Sequence, residues 1–131
     1  MNKVLEFSTH TKKGLVNITS AVGEAVGGTN IKEGICLVFV PHATAAVLIN
    51  EDESGFKADV EKLLDKWIPE GGWQHDRVDN NATAHLAASM IGQSRVIPVR
   101  HGDLQLGTWQ EIFLVELDGP RSTRRVVIQV I

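Results

Sequence analysis

GICLVFVPHATAAVLINEDESG, residues 34–55, reads as two apolar strands on either side of a turn, with a run of acids behind the second. Residues 34–40 are continuously apolar and rich in β-branched side chains, the pattern of a central strand buried on both faces. Pro41 has no amide hydrogen to give a ladder and ends it. TAAVLIN, residues 44–50, is the second strand. If the chain turns near Thr44, His42 and Asn50, eight residues apart, can face each other.

Upstream, KVLEFST (3–9) alternates as a strand, and NITSAVGEAVGGTN (17–30) puts Ile18, Val22, Ala25 and Val26 at helical spacing. Asn17 is the cap, and Gly27 and Gly28 are the stop. Downstream, residues 54–68 align Phe56, Val60, Leu63, Leu64 and Trp67 on one stripe, as in an amphipathic helix packed on a sheet. GGWQHDRVDNN (71–81) has no period and many turn formers, so it is a loop. ATAHLAASMIG (82–92) is a second helix after that loop, with Ala82, Leu86 and Met90 on one face and His85 and Ser89 on the adjacent one. From Ser94 the pattern is β: SRVIPV, DLQLGTWQEIFLVEL and RRVVIQVI, separated by HGD and DGPR turns. Gly107 inside a strand-like run predicts a bulge or a close backbone approach. Hairpins interleaved with helices predict an α+β fold whose helices cover one side of a mixed sheet.

The 131 residues suit one domain spanning residues 1–131. A composition of 43% hydrophobic and 22% charged residues is that of a soluble protein, and no run of about 18 apolar residues would span a membrane. MNKVLEFSTHTKKG does not have the form of a signal peptide, so the expected location is cytoplasmic. The lone Cys36 lies in an apolar run and reads as a buried structural thiol. A net charge of −3 gives no global basic field for a nucleic acid, and neither a nucleic-acid nor a membrane partner is expected. RSTRR, residues 121–125, is the local exception: either a solvated face or a phosphate site built from Arg121, Arg124 and Arg125.

Three of the five histidines, His42, His75 and His85, sit beside apolar segments among Asn, Asp and Glu. Such a set can hold a divalent metal or run acid–base chemistry near neutral pH. Nine residues separate His75 from His85, which matches no local zinc template, and each histidine alone equally suits a surface or hydrogen-bonded structural role. Asp52 and Glu53 read as helix-start charges. GTWQ (107–110) offers Trp109 and Gln110 to stack on and hydrogen-bond a planar heterocycle, or is a strand with a core tryptophan.

Taken together, these residues resemble the YjbQ-like family of small proteins described as secondary thiamine-phosphate synthases, over nearly the whole chain. The matching motifs are His42, Thr44, Ala45, Asn50 and Glu51 in PHATAAVLINED; His75 and Asp76; His85, Ser89 and Gly92 in AHLAASMIG; SRVIPVRHGDLQLGTWQEI (94–112); and Arg125 after DGPRST. Ala43 departs from the hydroxyl residue usual in the family after the first histidine. The resemblance implies a sheet bent into a half-barrel with flanking helices, a homotrimer with sites near subunit boundaries, and convergence of the three histidines.

It also implies an enzyme that joins a pyrimidine methyl diphosphate to a thiazole phosphate and releases pyrophosphate. On that reading His42, His75 and His85 hold a metal, with zinc favoured by nitrogen ligands and Mg²⁺ an option for a diphosphate. His42, Glu51, Asp76 and His85 are then the catalytic candidates. Thr44, Asn50, Ser89, Trp109, Gln110 and the three arginines bind the small phosphorylated substrate. The alternatives are metal-dependent hydrolysis, a metal-free acid–base pocket, and a non-catalytic trimeric module for a small anion.

Overall fold

The computed structural model describes residues 2–131. Along the chain run β1 (Asn2–Thr9), β2 (Gly14–Asn17), α1 (Thr19–Gly27), β3 (Glu33–Phe39), β4 (Ala45–Asn50), α2 (Ser54–Trp67), a 3-10 turn (Gln74–Arg77), α3 (Ala82–Ile91), β5 (Ser94–Arg100), β6 (Asp103–Leu104), β7 (Glu111–Glu116) and β8 (Arg121–Val130). Five strands form one sheet in the order β1-β8-β3-β5-β6, and three form a second in the order β2-β7-β4. The described ladders are all antiparallel, and the strands curl into the expected half-barrel.

Alternation along the strands builds two cores. Ala45 and Val47 of β4 and Ile112 and Leu114 of β7 face the larger sheet, where they meet α1 through Ile18, Val22, Ala25 and Val26. Ala46 and Val115 face the other way, onto Leu64 and Ile68 at the α2 end and Ala84, Ala87 and Ala88 of α3. The small sheet is thus covered on both sides, whereas the large sheet is covered on one. Ile35 and Phe39 of β3 are 43% and 40% exposed, and Val96 of β5 is 57% exposed. The expectation that residues 34–40 are buried on both faces is corrected in this way: Cys36, Val38 and Val40 face the core, and the alternate residues face out.

Other local expectations shift for stated reasons. Residues 14–17 form β2, a strand too short to show a period. Asn17 closes it, and its Oδ1 accepts from Thr19 N at 3.0 Å at the start of α1. In α2, Leu64 carries the buried contact while Leu63 and Trp67 face outward. In α3 the buried face is Ala84, Ala87 and Ala88, because small side chains let the helix lie close on β4; Leu86 and Met90 are exposed. Gly107 belongs to a turn rather than a bulge: Gly107 N donates to Gln110 Oε1 at 2.8 Å, and Gln110 N donates to Gly107 O at 3.0 Å. Among the described residues no helix is long and apolar enough to cross a membrane.

Candidate functional site

The polar centre of the molecule is where β7 ends. Glu116 pairs in register with Gly14 of β2 on one side and Ala45 of β4 on the other, so its backbone lies mid-sheet and its side chain is 1% exposed. On β8, Val126, Ile128 and Val130 face the core, and the same alternation turns Arg124 inward, 2% exposed. A buried charge persists only when paired and fully hydrogen-bonded. Arg124 Nε donates to Glu116 Oε1 at 2.9 Å, and Nη2 reaches Glu116 Oε2 as well as Thr44 Oγ1 at 3.0 Å and Thr44 O at 3.2 Å. Glu116 also accepts from Thr9 Oγ1 at 2.6 Å and from Leu117 N and Asp118 N at 3.0 Å. Burial pushes the Glu116 carboxyl up, but Arg124 and Thr9 more than reverse this and hold it below the usual carboxylate range.

His42 sits beside this pair, in the loop between β3 and β4. Its Nε2 accepts from Arg125 N at 2.8 Å, so in the neutral ring the proton is on Nδ1. Burial, then Arg124 and Arg125, hold its pKa below the usual histidine value; Glu116 opposes them, and Arg121 adds to them. Among the charges that act on this ring, three arginines stand against one carboxylate.

From Glu116 the hydrogen bonds continue to the helical side. Asp118 Oδ2 accepts from Asn81 Nδ2 at 2.9 Å and from Arg121 Nη2 at 3.1 Å, and Lys12 Nζ lies 3.7 Å from Oδ1. Burial raises the Asp118 carboxyl, and the Asn81, Lys12 and Arg121 contacts bring it below its usual range. Asn81 starts α3, whose Ala82 N donates to Asp76 Oδ1 at 3.0 Å. The neighbouring His75 ring rests on His85 with centroids 4.3 Å apart at 47°. Ser89 Oγ donates back to His85 O at 2.9 Å, one helical turn earlier.

His42, Thr44, Arg121, Arg124, Arg125, His75, Asp76 and His85 thus fall along one connected region. Asn50, Glu51, Trp109 and Gln110 do not join it. Ala45 pairs with Glu116 and Asn50 with Glu111, so the ends of β4 are separated by five residues, about 17 Å of strand. There Glu51, Thr108, Trp109 and Glu111 line a cleft of about 300 Å³. Gln110 spends its side-chain carbonyl on its own turn.

The three histidines are not gathered into a metal-binding group. Among the described residues no three His, Cys, Asp or Glu side chains form a group that could hold a metal ion. His75 and His85 meet, but Nε2 of His42 already accepts the Arg125 amide, so the trio does not present three free nitrogens to one point. The arginine cluster also divides. Strand alternation sends Arg124 in and Arg125 out, and Arg121 is tied to Asp118. Sequence reasoning missed Glu116, Asp118, Asn81 and Thr9. The available signal was Glu116, a carboxylate inside the apolar run IFLVEL, where an unpaired charge would be costly.

A profile of the UPF0047 protein family, YjbQ-like, matches residues 3–131. A UPF0047 protein of Archaeoglobus fulgidus is 44% identical over 126 residues, covering 95% of this chain and 97% of the relative. The Bacillus subtilis protein YugU is 35% identical and covers 93% of each chain. A crystal structure from Sulfolobus solfataricus superposes with a TM-score of 0.96 at 45% identity, over 99% of this chain and 95% of that one; it is described as a YbjQ-like protein of unknown function. A hypothetical protein from Aeropyrum pernix superposes with a TM-score of 0.95 at 39% identity, over all of this chain and 98% of the other. These findings overturn the thiamine-phosphate expectation. The similar proteins carry no such activity in their descriptions, and the ligand group for a metal-assisted synthase or hydrolase does not form among the described residues.

Proposed function

The chain belongs to the UPF0047, YjbQ-like family, and from that premise we propose that it binds a small phosphorylated compound at the corner where His42 meets Arg125, as a homotrimer. The observation that carries this reading is the histidine set beside Arg124 and Arg125, its Nε2 fixed by the Arg125 amide and its pKa lowered by burial and then by these arginines. With that nitrogen occupied, Nδ1–H is left as a donor. The Arg124 charge is answered by Glu116 and the Arg121 charge by Asp118, whereas Arg125 is exposed and has no ion pair among the described residues. A guanidinium beside an imidazole N–H suits the oxygens of a phosphate, which accept charge-assisted bonds. Arg121, at the start of β8, adds to the positive potential at that ring.

Arg125 also stands at the rim of the open face of the large sheet. Ile35, Phe39, Val96 and Ile131 expose apolar surface on that face. Covering it with other copies would bring the His42 corner near a subunit boundary and end the exposure of a broad apolar sheet.

Titration of the protein with inorganic phosphate and with glycerol phosphate, followed at the His42 ring by NMR, tests the binding. The expected result is a saturable shift, with affinity at least about tenfold weaker in Arg125→Ala, the equivalent of losing one charge-assisted hydrogen bond. His42 should also hold its proton more tightly when the anion is bound. A ring unmoved by both compounds would end the proposal.

A further inference from the structure

We propose that the junction between the 3-10 turn and α3 binds a hydrogen-bond-donating head group, an amine or a hydroxyl, of a small polar ligand. This site is distinct from the His42 corner and does not depend on it. Two buried side-chain atoms have no protein partner among the described residues, Asn81 Oδ1 and His75 Nδ1, and both lie here. Asn81 is 9% exposed. Its amide cannot be turned round to remedy this, because Nδ2 donates to Asp118 Oδ2, and a carboxylate oxygen only accepts. The oxygen of Asn81 is therefore a buried acceptor in need of a donor, and buried polar atoms are seldom left that way.

Neither residue is free to swing towards another partner. Val78 N and Asp79 N both donate to His75 O, Asn81 N donates to Asp79 O at 2.7 Å, and Ala82 N donates to Asp76 Oδ1. His85 N donates to Asn81 O at 3.3 Å, and the His85 ring backs the His75 ring. The backbone on both sides is thus fixed, and the Asp118 bond of Asn81 and the ring contact of His75 hold the side chains, as a binding site requires.

The chemistry of the occupant follows from what surrounds it. The start of α3, which would draw an anion, already has one in Asp76. Asp118 lies behind Asn81, and Glu70 accepts from Thr83 Oγ1 at 3.0 Å on the first turn of the helix. The orphan Asn81 oxygen is an acceptor and three carboxylates stand around it, so a neutral or cationic group bearing N–H or O–H is favoured over an acid. His75 and His85 are half-buried, so their rings stand between the surface and the two orphan atoms, which are themselves closed to solvent.

Three probes decide the matter when the Asn81 side-chain amide and the His75 ring are followed by NMR: methylammonium, ethanol, and tetramethylammonium, which has charge but no N–H. Saturable shifts at both residues with methylammonium or ethanol, and none with tetramethylammonium, are expected; which of the two saturates tells an amine from a hydroxyl. Asn81→Ala should weaken binding at least tenfold. If that variant does not fold, His75→Phe, which keeps the ring contact and removes the nitrogen, should weaken it as well. Equal saturation by tetramethylammonium would overturn the proposal. So would no saturation by any probe; a long-lived water contact at the Asn81 amide would then show what satisfies the pair instead.

Discussion

Arg124 and Glu116 show why a single residue matters more when it is buried with its partner. Each has the other as its main compensation for leaving water, so removing one strands the other. Glu116→Ala should cost about 3–5 kcal/mol in urea denaturation, and Glu116→Gln less, because the amide still accepts from Thr9. His42 makes a second prediction at this scale. Its folded pKa lies below the ordinary histidine value, so between the two values the unfolded chain binds more protons. Stability should therefore rise with pH through that interval, be complete above about pH 6.5, and fall as the pH drops through the folded value. Denaturation midpoints measured from pH 5 to 8, in wild type and His42→Gln, should show this slope flattened in the variant. The same folded chain explains which residues were readable. His42 stood out beside Pro41, whereas Asn81 sits in a polar loop sequence where nothing marks its amide as buried.

Elements here are positioned by close backbone approaches as much as by large side chains. A Cβ at Gly34 of β3 would meet the carbonyl oxygen of Ile131 at 2.2 Å, and that carbonyl accepts from Ile35 N at 2.9 Å. Gly34→Ala should therefore push the C-terminus off the β3 edge and destabilise the chain, visible as a lower denaturation midpoint and faster exchange of the Ile35 and Ile131 amides. α3 follows the same logic with alanines: its buried face is small because β4 lies close beneath it. This is also why Leu86 and Met90, the larger apolar residues of the helix, lie on its exposed side. Periodicity finds a stripe but does not say which of two candidate stripes is pressed on the sheet. At the start of α2, Glu53 accepts from Gly55 N at 2.6 Å and Phe56 N at 2.7 Å. The dipole argument for these acids thus has a specific form, and those two amides hold the Glu53 carboxyl below its usual range.

At the scale of the molecule, the two sheets are treated unequally. The small one is covered on both sides, and the large one keeps an apolar face open. In the proposed assembly that face is the contact between copies. Sedimentation of the wild type should give three chains per particle, and Val96→Lys, placing a charge on the face without touching either core, should shift the particle to smaller species. A monomer in the wild type at micromolar concentration would remove the subunit-boundary part of the ligand model while leaving the His42 corner to be tested by itself.

The sequence by itself determined the α+β class, the family, the positions of the helices and most strands, and the candidacy of His42, His75 and His85, because these rest on local period, turn chemistry and short motifs. Tertiary structure alone decided that residues 34–40 cover the core on one face only, that Asn50, Glu51 and Trp109 lie a strand's length from His42, and that Glu116, Asp118 and Asn81 link the histidines to the arginines. Those outcomes depend on which strands pair and in what register. Register is set by contacts between residues as far apart as Thr9 and Arg121, a separation that no local pattern encodes.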